Sequence, residues 1–293
     1  MSDLPELLVT AFASGCTYGL VALAYLMILR PTGIINFAVG EWAMMGAFAA
    51  LVLSGMLELP SVVGILGAAF ALAAVGWLTE WSVVRPLVVR DAGHLAPILV
   101  LLGMLVVFHQ AMLLIFGGGD EPLSGPFGFG RVGLGPVAGA PQDFFIIATT
   151  LLVFGAVWLF FERTVWGKSF EAVAINRRAA ALMGINLRLV TALSFAGGAA
   201  IAGLAGVLDG PRASIEVKTA LPFAIQGFSA LVIGGVNRVE GALLGGIVLA
   251  LAENLTQRYA PIPSGLSLGV TPLLLIIFLL VRPAGLLRAK EAS

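Results

Sequence analysis

The chain has 293 residues, 59% of them hydrophobic and 11% charged, with a mean hydropathy of +1.04 and a formal net charge of zero. An ordinary soluble domain is about 45–50% apolar and about 25% charged, so this chain cannot cover itself with polar surface and reads as an integral membrane protein, not a cytosolic enzyme or a disordered chain. Balanced charge leaves no basic footprint for nucleic acid, and Cys16, His94 and His109 are too few for a disulfide framework or a Cys- or His-built metal site.

A helix needs roughly 20 apolar residues to cross about 30 Å of hydrocarbon. In chain order, spans are predicted at 7–29, 34–56, 62–84, 96–116, 144–161, 190–208 and 268–281. Between 221 and 256 the pattern predicts two short or broken segments, Phe223–Gly234 and Gly241–Leu255, of the kind transporters use where backbone lines a cavity. The expected fold is therefore all-α and polytopic, with about 8–9 transmembrane or half-spanning helices; a barrel would need strands of about ten residues with alternating polarity. Residues 117–143, rich in Gly and Pro and carrying Asp120, Glu121 and Asp143, form a predicted external loop, and 162–189 the long inside loop. No composition shift divides the chain, so 1–293 reads as a single transmembrane domain.

Charge sets the expected orientation. With the N-terminus outside and nine crossings, Arg30, Arg85, Arg90, Arg163, Lys168, Arg177, Arg178, Arg188, Arg238, Arg282, Arg288 and Lys290 lie inside. Only Arg131, Arg212, Lys218 and Arg258 lie outside. Merging the short pair into one span would put the Arg-rich C-terminus outside, so nine segments and a cytoplasmic C-terminus are expected.

Two apparent motifs carry no chemistry. Gly167-Lys168-Ser169 has the end of a phosphate loop, but Glu162 stands where the motif needs glycine and no strand precedes it. Ala13-Ser14-Gly15-Cys16 looks like a lipoprotein cleavage box without the basic region such signals need, so Cys16 is expected to be buried and inert. Small-xxx-small pairs such as Gly206/Gly210 and Gly241/Gly245 mark close helix contact.

Three constellations remain. Pro31 and Gly33 break the chain, so a helix can begin near Asn36 as N-cap, with Gly40 and Glu41 in its first turns. Glu41 is followed by apolar residues inside the membrane, where a carboxylate is either paired structurally or faces a polar path. Gly234-Gly235-Val236-Asn237-Arg238-Val239-Glu240 is either a simple inside turn or a hinge near the pore. In the inside loop, apolar residues at 172, 175, 179, 182 and 183 recur at helical spacing, with Arg177 and Arg178 off the stripe, and Gly184 ends the predicted helix. Such a helix lies on the membrane surface or docks in a groove of another protein. Glu80, His109, Gln110 and Asn254 are further in-membrane polar groups; a lone His109 on an apolar face reads as a packing residue. Gln226 and Glu253 fall in the short pair, nearer a path.

With these motifs in hand, the chain resembles the permease subunits of Liv-type branched-chain amino acid ABC importers. The resemblance rests on "GIINFAVGEWAMMGAF", on "AVAINRRAAALMGINLRLVTALSFAGGAAIAGLAGVL", on "FSALVIGGVNRVEGALLGGIVLALAENL" and on "LVRPAGLL". It implies a bacterial inner-membrane permease with no cofactor of its own and no enzymatic step in this chain. Its implied partners are a second homologous permease, two cytoplasmic ATPase subunits that bind ATP and Mg, an extracytoplasmic solute-binding protein and membrane lipid. It further implies that Glu171, Asn176, Arg177, Arg178, Gly184, Ile185 and Asn186 couple to the ATPases. Asn36, Gly40, Glu41, Gln226, Gly234, Gly235, Asn237 and Glu253 are the candidates for the path or its gate. The family also takes in importers of urea, short amides and aromatic acids, which these residues do not separate from leucine-like substrates. A stand-alone secondary transporter, with Glu41 as its ion-coupling carboxylate, is the rival reading. An intramembrane enzyme lacks a His/Asp/Ser or metal spacing to support it.

Overall fold

A computed structural model of the chain describes residues 3–90, 93, 95–123, 125–127, 132–134, 137–212, 214–236, 238–259, 269–282 and 285–287. Asn237, Arg131, Arg288 and Lys290 lie outside the described residues. The order is α1 (Asp3–Thr32), α2 (Val39–Ala50), α3 (Ser61–Thr79), α4 (Arg85–Val89), α5 (Leu95–Phe116), β1 (Val132–Leu134), β2 (Val137–Gly139), α6 (Pro141–Arg163), α7 (Val165–Ile175), α8 (Arg177–Leu182), α9 (Leu187–Asp209), α10 (Ala220–Gly234), α11 (Val239–Tyr259) and α12 (Val270–Val281). π-Helical turns extend α2 over Leu51–Met56 and join α3 to α4 over Glu80–Val84. Among the described residues, eight helical segments are long and apolar enough to cross a membrane, and α12 is a shorter apolar ninth.

The chain is thus a polytopic helical membrane protein, with one small antiparallel hairpin, β1–β2, in the expected external loop. The first helix runs through Pro31 to Thr32, where Gly33, at φ +71°, ends it by donating its N–H to the Leu29 carbonyl at 2.8 Å. Asn36 is not the N-cap of α2. Its Oδ1 accepts from Ala38 N at 3.0 Å, an Asx turn that sets up a helix starting at Val39.

Two other expectations are corrected. The pair at 221–256 is not short or broken: α10, preceded by a 3₁₀ turn at Val217–Thr219, and α11 each reach spanning length. Pro222 falls in the first turn of α10, where its missing N–H costs nothing. Asn254 and Thr256 donate back to the Ala250 and Ala252 carbonyls, so polar residues continue α11. The inside helix is in turn two helices. Asn176 leaves helical geometry at φ −152°, ending α7, and its side chain accepts from Arg178 N and Ala179 N to start α8.

The first helix lies at the centre, with Leu20–Leu26 and Ile28 essentially sealed between α9, α10 and α11. In lipid there is no hydrophobic drive between helices, so close backbone approach and dispersion hold them together. Gly246 of α11 sits against Gly15 and Gly19 of α1, Gly46 of α2 against Gly203 of α9, and Gly206 of α9 against the Ala43 carbonyl, each with no room for a Cβ. The outer helices are loosely held: α5 buries only Pro97, Leu101 and Met112 and exposes Leu99, Val106, Leu114 and Ile115, an apolar face suited to lipid.

The crossings define two ends. At one, Glu121 and Ile215 exchange backbone hydrogen bonds at 3.0 and 2.8 Å, near the hairpin. At the other, α7 folds under the bundle, where Gly167 abuts Phe160 and Phe161, and Arg30 lies 5.7 Å from the Phe161 ring centre. These are the hairpin end and the elbow end.

A Gly46→Leu substitution must push α2 off α9, whereas Gly155→Leu enters open space. Overpacking costs about 1–3 kcal/mol. Thermal unfolding in detergent should therefore drop for Gly46→Leu and stay within error for Gly155→Leu.

Candidate functional site

At the hairpin end a cavity of about 550 Å³ opens between α10, α11 and α12, lined by Glu216, Lys218, Leu221, Ile225, Gln226 and Gln257, with Glu253 and Thr271 also in its wall. A second cavity of about 370 Å³ adjoins it through Thr219, Pro222 and Gln226 and reaches Ser14, Tyr18, Asp209 and Arg212.

A run of polar side chains crosses the floor between them. Gln226 Nε2 donates to Tyr18 Oη at 2.9 Å, and Tyr18 donates to Glu253 Oε2 at 2.9 Å. Thr271 Oγ1 donates to the other oxygen, Glu253 Oε1, at 2.9 Å. Four helices, α1, α10, α11 and α12, each supply one group. The expected pair Gln226 and Glu253 thus meet through Tyr18, which sequence reasoning missed, as it missed Thr271 on the far side of Glu253. Tyr18 and Thr271 sit in apolar segments and carry no signal until a partner helix is known.

Glu41 is 3% exposed and lies 3.2 Å from His109 Nδ1 of α5. Among the described residues its Oε2 has no hydrogen-bond partner. The pair borders a cavity of about 280 Å³ with Phe37, Gln110, Leu221 and Ala224. His109, expected as a packing residue, is thus a polar partner of Glu41 between α5 and α2. Leu221 lines both this cavity and the larger one, so the two flank α10.

Other expected path residues lie elsewhere. Gly40 gives α2 its approach to the Ala220 carbonyl and Ala224 of α10. Asn36 is 1% exposed, with its Nδ2 unpartnered among the described residues. Gly234 packs on the Gly241 carbonyl, and Gly235, at φ +101°, faces the Leu287 carbonyl. The Ile233 and Gly234 carbonyls accept from Leu286 N at 2.8 Å and Leu287 N at 3.3 Å, so this turn is a clamp on the C-terminal segment at the elbow end. Asn237 lies outside the described residues.

Ion pairs fix the protein near both ends. Arg212 Nε lies 2.9 Å from Asp143 Oδ1, and its Nη1 bonds Asp209 at 3.3 Å and Ser14 Oγ at 3.1 Å. Asp143, expected in the external loop, is instead in the first turn of α6 and 3% exposed. Glu80 holds Arg85 at 2.8 Å.

The elbow is built by caps. Thr164 accepts from Gly167 N to start α7, Asn176 starts α8, and Asn186 Oδ1 accepts from Leu189 N at 3.2 Å to start α9. Gly184 adopts φ +84°, and Ile185 N returns to the Ala180 carbonyl at 3.1 Å. Phe170, Val173 and Ala180 face inward and are buried, while Ile175, Leu182 and Met183 are 83–89% exposed. Lys168 lies 3.2 Å from Glu171 and 3.6 Å from Glu162; the Glu171 hydrogen bond, with both carboxylates nearby, holds its ammonium above the ordinary lysine range.

A polytopic helical bundle with a cavity at one end and an exposed apolar elbow at the other fits a membrane transport protein. Comparison with known proteins narrows this. The family described as branched-chain amino acid transport system / permease component matches residues 7–279. The chain is 33% identical to the high-affinity branched-chain amino acid transport system permease protein BraD of Pseudomonas aeruginosa, over 98% of this chain and 96% of that one. It is 31% identical to the corresponding protein LivH of Escherichia coli K12, over 95% and 94%. It is also 27% identical to the ribose import permease protein RbsC of the same organism, over 80% and 73%. Among solved structures, PsaBC from Streptococcus pneumoniae in complex with Fab shares the fold at a TM-score of 0.51 and 13% identity, covering 95% of this chain and 91% of that one. The chain belongs to the branched-chain amino acid transport permease family, and is the permease subunit of an ABC importer.

Breaking a buried ion pair from one side costs roughly 3–5 kcal/mol. Arg212→Met strands Asp143 and Asp209 and should lower unfolding stability by that order, while adding Asp143→Asn should recover part of the loss. A chemical-unfolding double-mutant cycle measures both.

Proposed function

We propose that this chain translocates branched-chain or related amino acids delivered by an extracytoplasmic solute-binding protein. ATP and Mg are held by two separate cytoplasmic ATPase subunits, and a second homologous permease completes the pore. The observation that carries this reading is the elbow. Its buried side is locked to the bundle through Phe170, Val173 and Ala180, while Ile175, Leu182 and Met183 are offered outward. Large apolar side chains on a short braced helix pair are what a groove in another protein takes up. Arg177 and Arg178 beside them supply charge for that groove.

In this reading the hairpin end faces the exterior and the elbow end the cytoplasm of a bacterial inner membrane, as the excess of basic residues on the elbow side supports. Glu171, Asn176, Arg177, Arg178, Gly184, Ile185 and Asn186 form or brace the coupling surface. Gln226 and Glu253 line the entry of the path from the hairpin end. Glu41, with His109, borders its flank. Asn36, Gly40, Gly234 and Gly235 set the packing that holds those helices in place.

The test uses the complete importer in vesicles. Arg177→Glu with Arg178→Glu, or Gly184→Pro, which cannot adopt a positive φ, should cut substrate-stimulated ATP hydrolysis at least tenfold while the chain still inserts. Unchanged stimulation would remove the coupling role.

A further inference from the structure

Glu253 is 5% exposed and takes hydrogen bonds on both carboxylate oxygens, from Tyr18 and from Thr271. Both donors are neutral hydroxyls. Among the described residues no lysine, arginine or histidine forms a salt bridge with it, unlike Glu80, Asp143 and Asp209, which each have an arginine partner. A carboxylate removed from water is strongly disfavoured without a counter-charge. This one borders a cavity of about 550 Å³, so its counter-charge can arrive from outside.

The rest of the wall indicates what kind of cation fits. Leu221, Pro222 and Ile225 give an aliphatic side to the cavity, which suits a molecule with a branched hydrocarbon body. Lys218 stands at the rim, its side chain 80% exposed, and among the described residues its one salt-bridge partner is Glu216 at 4.0 Å, which leaves it able to meet an anionic group. A hydrated inorganic ion would use neither feature.

We propose that Glu253, held in place by Tyr18 and Thr271, recognises the ammonium group of the transported molecule, so that this chain itself selects protonated aliphatic amines and amino acids. Selection is then exercised twice, once by the binding protein and once here. A neutral amide or urea leaves the carboxylate unpaired, and an acid lacking the ammonium is repelled by it. The inference rests on the reading of this cavity as the entry to the path.

The test is carboxyl labelling of the complete importer with dicyclohexylcarbodiimide, read at Glu253 by mass spectrometry. Leucine and 3-methylbutylamine should each slow labelling at least fivefold, whereas 4-methylpentanoate and urea should leave it unchanged. Equal protection by 4-methylpentanoate, protection by sodium ions alone, or none by either amine overturns the proposal. So does a Glu253 that never reacts in the assembled importer, because a neighbouring subunit then already supplies its counter-charge. A second measurement is import by Glu253→Gln, expected to need at least tenfold more substrate for half-maximal rate, with Glu253→Asp in between. Unchanged import by Glu253→Gln refutes ammonium recognition while leaving the coupling result at the elbow intact, so the two readings fail separately.

Discussion

Everything polar in this bundle depends on how closely its helices approach one another. Gly15 and Gly19 of α1 and Gly246 of α11 allow two backbones to touch where any larger residue would hold them apart. Tyr18 lies between those two glycines in sequence, and Glu253 lies two turns beyond Gly246. The 2.9 Å hydrogen bond between Tyr18 and Glu253 is therefore a product of the glycine contact. Widening it would cost dispersion energy along the helices and also leave a buried carboxylate short of a donor.

The same principle orders the two ends. The ninth helix starts at the elbow, capped by Asn186, and finishes beside Arg212, which ties together α1, α6 and α9 through Ser14, Asp143 and Asp209. Along its length α9 meets α2 through Gly203 and Gly206, and α3 through the contact of Gly76 with Phe195 and Ala199. It is one continuous rigid element between a surface offered to a partner and a charge cluster beside the open cavity. Packed cores shift as whole bodies, not by local yielding, so in the proposed coupling role α9 is the element that links the elbow to the hairpin end.

Much of this was legible in the sequence. The apolar runs marked the spans, the small-residue spacings marked helix contacts that the structure bears out at Gly206, Gly241 and Gly245, and Gly184 marked the exit from the elbow. What stayed hidden was pairing at a distance. Tyr18 and Glu253 are 235 residues apart, and Glu41 and His109 are 68 apart, so nothing local in either member announces the other. The apolar pieces Phe223–Gly234 and Gly241–Leu255 looked too short to span because the polar residues beyond them were not counted into the helices. Once Gln226 and Glu253 have hydroxyls to bond, and Asn254 and Thr256 return to their own helix, no break is needed. Asn176 misled in the opposite way: the apolar stripe runs through it at helical spacing, yet its side chain competes for backbone N–H groups and restarts the helix.

The junction between α10 and the segment at 285–287 has a consequence for biosynthesis. The carbonyls of Ile233 and Gly234 receive their donors from Leu286 and Leu287, some fifty positions later in the chain. While the ribosome is still adding α11 and α12, those oxygens have only water or the insertion machinery to serve them. The bundle is zipped last at a seam made early, so the order of synthesis makes this turn the step that seals the rim at the elbow end.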